Sequence, residues 1–197
     1  RVRSSAASDV YKRQAYEAVD ALDLDDPVLM CEELGDVLMQ VAFHTCMEQE
    51  TGRFTWEQVC DGVCQKLIER HPNIFGTQPG YEGITDWDAL KNKEKGRRTL
   101  ADDLESVPRA MPALMRAAKL QKRAARHGAA LQGADAAALA DAAENLQTAQ
   151  PASAQAEQAV GELLFAAANL ARQAGVDPEQ ALQKANEAFC TAAGPVA

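Results

Sequence analysis

Apolar positions along the chain recur at helical spacing, and no stretch alternates in the manner of a strand, which predicts an all-α fold. From Ala15 to about Leu24 the pattern is that of a first helix. Asp26 and Pro27 then make a good start for a second, with Asp as cap and Pro at the first position. Its apolar stripe runs through Leu29, Leu34, Val37, Leu38, Val41 and Ala42 to about Gln49, and Gly52 lies beyond its end. Thr55 caps a third helix carrying Val59, Val63 and Leu67, which stops at His71-Pro72 because the residue before a proline disfavours helical geometry. Asn73 to Asp86, rich in Gly, Pro and Thr, reads as a long loop, and Trp87 to Arg98 as a short charged helix. The register begins afresh at Val107. A basic amphipathic helix is expected from Pro108 to about Arg126, with Gly128 at its end. Ala-rich helices over Asp135–Ala149 and Ala152–Gln173 follow, then a break at Gly175 and a last helix from Asp177-Pro178 to about Phe189.

Two acidic clusters are set into this apolar pattern, Tyr16-Glu17-Ala18-Val19-Asp20 and Glu32-Glu33-Leu34-Gly35-Asp36. Glu17 with Asp20, and Glu33 with Asp36, are spaced i, i+3 and so are neighbours on one helix face. Carboxylates gathered inside a bundle repel one another and resist desolvation unless a cation neutralises them. Oxygen-only donors suit a hard ion such as Mg²⁺, which commonly arrives with substrate phosphates. The pattern therefore points to metal-dependent phosphate chemistry, against the blander reading of acids at this spacing as a solvated face.

The remaining features narrow the choice. A net charge of −9 over 197 residues disfavours a long nucleic acid as partner, since that needs a basic footprint. No stretch is long and apolar enough for a membrane span, and the N-terminus lacks a secretory core. Cys31, Cys46, Cys60, Cys64 and Cys190 form no scaffold-like pattern and are expected to be mostly buried thiols of a cytoplasmic protein. Residues 1–14 look unlike the rest and are read as a non-native, adapter-derived segment, with the natural start of the chain missing. Gly35-Asp36-Val37-Leu38 is echoed by Gly161-Glu162-Leu163-Leu164, and each copy precedes a helix bearing a lysine, Lys66 and Lys184. The echo predicts two related helical units meeting near Arg97 to Pro108.

Several runs in order carry a resemblance: Glu32 through Val41, Glu69-Arg70-His71-Pro72-Asn73-Ile74-Phe75, Leu104 through Ala117, and Leu182 through Phe189. In these the chain resembles the MazG family of nucleoside triphosphate pyrophosphohydrolases over nearly everything after Gln14. The resemblance implies tandem helical bundles, residues 15–98 lacking their first helix and residues 99–197 degenerate, normally assembled as a homodimer. It also implies hydrolysis of nucleoside triphosphates to monophosphate and pyrophosphate, with Mg²⁺ held by a Glu-x-x-Glu and a Glu-x-x-Asp motif on adjacent helices. Carried onto this chain, Glu33 and Asp36 form the second motif, while Glu17 keeps the second place of the first motif and Gln14 stands where its other acid belongs. In the second half Asp141 and Glu144 take the Glu-x-x-Glu places, Ala159 replaces the next Glu, and Glu162 stands for the Asp. Lys184 and Asn186 match the family's phosphate-side residues, but the basic run expected after Phe189 is missing.

Within that chemistry Glu17, Glu33 and Asp36 are the candidates to orient or deprotonate water. Lys66 and Arg70 are candidates to neutralise phosphate, or simply cations favoured near a helix C-terminus. Lys91 and Lys95 are weaker candidates; Trp56 and Trp87 are read as packing before base stacking, His71 as a structural stop and His44 as a core or interface residue. The competing class is a catalytically impaired MazG-like module for dimerisation or regulation. A di-iron bundle would need Glu-x-x-His pairs, which the chain lacks.

Overall fold

The computed structural model describes residues 5–71, 74–76, 96 and 99–194. Among the described residues all regular structure is helical: α1 (Ser5–Asp23), α2 (Pro27–Glu50), α3 (Trp56–Arg70), α4 (Leu100–Glu105), α5 (Ala113–Arg126), α6 (Ala136–Thr148), α7 (Ala154–Gln173) and α8 (Pro178–Ala193). The chain divides into two compact units, residues 1–85 and 86–197.

In the first unit α1 and α2 form a helical hairpin, and α3 packs on α2. Asp25 makes the turn with a positive φ of 53°, and Asp26 stops fraying of α2 by accepting from the Val28 and Leu29 amides at 2.9 and 3.1 Å. Thr55 and Gln58 start α3 with reciprocal hydrogen bonds of 3.3 and 2.9 Å. Among the described residues, Ala18 and Ala21 are the unit's buried hydrophobic side chains, accompanied by buried Gln14 and Thr45. Thr45 is satisfied within its own helix, its hydroxyl donating to Val41 O at 2.8 Å. Leu34, Leu38, Met39 and Phe43 of α2 remain exposed. Alanines at the α1–α2 contact let the backbones approach but bury little apolar area.

The second unit centres on α7, against which α5, α6 and α8 pack. Its α5 has a proline, Pro112, at the cap position and no side-chain cap of its own. Glu179 of α8 replaces it, accepting from the Met115 amide at 3.3 Å. Buried amides lock the other contacts: Gln121 Nε2 donates to Phe165 O at 2.8 Å, and Asn169 Nδ2 to Ala134 O at 2.6 Å. Asp103 of α4, only 1% exposed, receives Arg123 at 3.1 Å, Arg126 at 2.9 Å and His127 at 3.2 Å.

Several expectations change. The first helix starts at Ser5 instead of Ala15, so residues 5–14 continue it without a break. Helix α4 forms where the apolar pattern gave no signal, because Thr99 and Asp102 cap it reciprocally and buried Asp103 ties it to α5. Helix α5 begins at Ala113, beyond the prolines at 108 and 112, and α8 runs on to Ala193. All five cysteines are exposed, because the narrow alanine-lined contacts leave most helix surface outside. Apart from residue 96, the expected helix over 87–98, with Trp87, Lys91 and Lys95, lies outside the described residues, as does all but residues 74–76 of the loop over 73–86.

Candidate active site

The α1–α2 hairpin brings together three of the acids singled out in the sequence. Glu17 projects from α1 and Glu33 and Asp36 from α2, each half-buried. The amide of buried Gln14 lies between two of them: its Nε2 donates to Glu17 Oε2 at 2.6 Å and to Asp36 Oδ2 at 3.1 Å. Two carboxylates from different helices thus reach one nitrogen. Arg13 is a weak companion, with its Nε 3.9 Å from Glu17 Oε1 and its side chain 66% exposed.

Glu33 reports the electrostatics of this corner. Its carboxyl is held above the ordinary glutamate value, first by partial loss of solvent and then by the negative charges of Glu17, Asp36 and Glu32, in that order. Asp20, the fourth acid of the paired motif, is exposed one turn further along α1.

Among the described residues, no group of three or more His, Cys, Asp or Glu side chains is arranged to hold a metal as it stands. Glu17, Glu33 and Asp36 are the residues that would hold such an ion, and the Gln14 nitrogen joins two of them. The donor chemistry nevertheless fits a hard divalent ion: three carboxylates on two packed helices, no sulfur or imidazole among them, and an N–H donor already standing between two of them.

The other expected residues are placed less tightly. Lys66 and Arg70 lie one turn apart on α3, Lys66 exposed and Arg70 half-buried. Asp141 of α6 and Glu162 of α7 line one cavity of about 700 Å³, together with Ala138, Ala142, Gly161 and Phe165. Glu144 is exposed and is not among the residues lining that cavity, and Glu162 accepts from Gln158 at 2.8 Å. Ala159, where the resemblance expects an acid, is 2% exposed and serves helix packing. Lys184 and Asn186 are exposed on α8. The Asp103 cluster had no signal in the sequence, because its members are spread from position 103 to position 127 and meet only through folding. Gln14 was legible only as a missing acid; its burial and its two acceptors are features of the structure.

Comparison with known proteins converges on the same helices. The MazG nucleotide pyrophosphohydrolase domain matches residues 11–75, a span that contains Gln14, Glu17, Glu33 and Asp36. The chain is 38% identical over 185 residues to a nucleoside triphosphate pyrophosphohydrolase of Escherichia coli K12, covering 89% of this chain and 70% of that protein. It is 37% identical over 178 residues to the nucleoside triphosphate pyrophosphohydrolase/pyrophosphatase MazG of Thermotoga maritima, covering 89% of this chain and 69% of that protein. A nucleoside triphosphate pyrophosphohydrolase of Mycobacterium tuberculosis is 34% identical over 119 residues, covering 58% of this chain and 36% of that protein.

Proposed function

The chain belongs to the MazG family of nucleotide pyrophosphohydrolases, and we propose that its first unit hydrolyses nucleoside triphosphates to monophosphate and pyrophosphate, with Glu17, Glu33 and Asp36 as the Mg²⁺ ligands. The observation that carries this reading is the convergence of carboxylates from α1 and α2 on the single Gln14 nitrogen, on helices that the MazG domain match covers. When bound there, Mg²⁺ supplies positive charge against the triphosphate oxygens and polarises water.

The chain's own groups divide the remaining work. Glu17, Glu33 and Asp36 are the carboxylates that would orient or deprotonate the attacking water. Lys66 and Arg70 sit one turn apart on the helix that packs on α2 and would meet phosphate oxygens, Arg70 with a planar fork that suits two oxygens at once.

A second copy of the chain is the partner this unit needs. Among the described residues two buried alanines give it a small apolar core, while Leu34, Leu38 and Phe43 stay exposed on the helix that carries the acids. Covering them in a homodimer would enlarge that core. The working compartment in this reading is the cytoplasm.

The second unit is a related MazG-like bundle, spanning residues 99–197 in the tandem reading, with a regulatory or dimerisation role. Buried Ala159, and Glu144 set apart from the cavity that Asp141 and Glu162 share, favour that role over catalysis. Magnesium-dependent nucleotide binding by the full chain tests the division. Loss on Asp36→Asn and retention on Glu162→Gln is expected, and the opposite pattern would reverse the assignment.

A further inference from the structure

Between positions 106 and 134 the chain carries Arg109, Arg116, Lys119, Lys122, Arg123 and Arg126 and no Asp or Glu. Five of these six cations lie on α5. At about 100° per residue they fall within roughly a third of the helix circumference. Like charges at i, i+3 and i, i+4 destabilise a helix unless something offsets them. The C-terminal end of this ridge has a counter-charge inside the unit, since buried Asp103 receives Arg123 at 3.1 Å and Arg126 at 2.9 Å. The N-terminal end differs. Arg116 and Lys119 are both half-buried, and among the described residues neither pairs with a carboxylate. Glu179 of α8 reaches this end of α5, but its carboxylate accepts from the Met115 amide at 3.3 Å. The Nε of Arg116 is enclosed and, among the described residues, has no acceptor.

We propose that Arg116 and Lys119 form a binding site for a phosphate-type oxyanion, built from neither acidic motif. Two half-desolvated cations on one helix face are best compensated by a small anion of high charge. The arginine fork matches two oxygens of a tetrahedral group, and the flexible lysine stem reaches a third. That chemistry belongs to inorganic phosphate and to one end of pyrophosphate alike. A long polyanion fits poorly, because a net charge of −9 repels an extended phosphate backbone. The site calls for no divalent ion, so it stands or falls independently of the carboxylates on α1 and α2. If the first unit releases pyrophosphate as proposed, occupancy here would let the second unit register turnover.

The test is ¹⁵N NMR and calorimetry on the full chain in EDTA, so that no divalent ion takes part. Inorganic phosphate and pyrophosphate are titrated separately at constant ionic strength. Backbone amides of residues 116–119 should shift saturably, and the anion that saturates at the lower concentration is the better ligand. Arg116→Gln combined with Lys119→Gln should weaken that affinity about tenfold to a hundredfold, the loss expected for charge-assisted hydrogen bonds. Circular dichroism checks that the helices persist, and the titration of the native chain needs no variant at all. An absence of shifts on α5, or shifts that sodium chloride reproduces, would overturn the site. So would unchanged affinity in the double variant, or an equal loss in Lys184→Gln, which would move the anion to α8.

Discussion

Replacing Leu38 should separate the proposed dimer. Leu38 is 59% exposed and Phe43 61% exposed on α2, the same helix that carries Glu33 and Asp36. Full burial of a leucine side chain contributes about 1.5–3 kcal/mol, so covering what remains open on Leu38 would contribute roughly half of that. A two-fold interface uses each residue twice. Leu38→Ala should therefore weaken dimerisation by about 1.5–3 kcal/mol, or about 12- to 150-fold in Kd. Leu38→Glu should go further, since it would desolvate a charge at the centre of the contact. Sedimentation equilibrium over a concentration series reads the dissociation constant directly, and circular dichroism checks that the helices persist. A native chain that stays monomeric at high micromolar concentration would refute the reasoning. So would a Leu38→Glu variant that dimerises as the native chain does.

Other consequences follow from the same geometry. Glu33 has a folded pKa raised above its ordinary value of about 4.5, so its protonated form favours the folded state. Metal-free stability from this group is fully present below that ordinary value and is lost as pH rises through the folded one. Melting temperatures across that window should show the decline, and Glu33→Gln should flatten it; a decline unchanged in the variant would contradict the assignment. Asp103→Ala strips the carboxylate from Arg123, whose side chain is nearly as buried, and should cost the second unit about 3–5 kcal/mol in chemical denaturation. A loss below about 1 kcal/mol would show that the cluster is only a solvated pair. Gln121→Leu removes the amide that reaches Phe165 O and should destabilise the same unit by about 1–3 kcal/mol, because the partly buried carbonyl loses that donor. Unchanged denaturation would discount that bond.

Much of this molecule was legible before folding. Asp26-Pro27, Thr55 and Asp177-Pro178 fix helix starts through chemistry local to a few residues, so α2, α3 and α8 begin where the sequence places them. The i, i+3 acids of α2 are equally local, and pairing them with Glu17 needed only adjacent helices. What stayed hidden depends on distant contacts. Gln14 gains meaning from an acceptor 22 residues away, and α4 is anchored by arginines about 20 residues downstream. The cysteines mislead because free thiols are usually buried, whereas here alanine occupies the helix contacts.

The most direct measurement is pyrophosphate release from a panel of nucleoside triphosphates with Mg²⁺, comparing the native chain with Glu33→Gln and Asp36→Asn. Removing either carboxylate should lower kcat/KM about 100-fold or more, since each acts on the ion or the attacking water. Turnover that persists undiminished in both variants would contradict the account, because it would place the chemistry away from the carboxylates that α1 and α2 bring together.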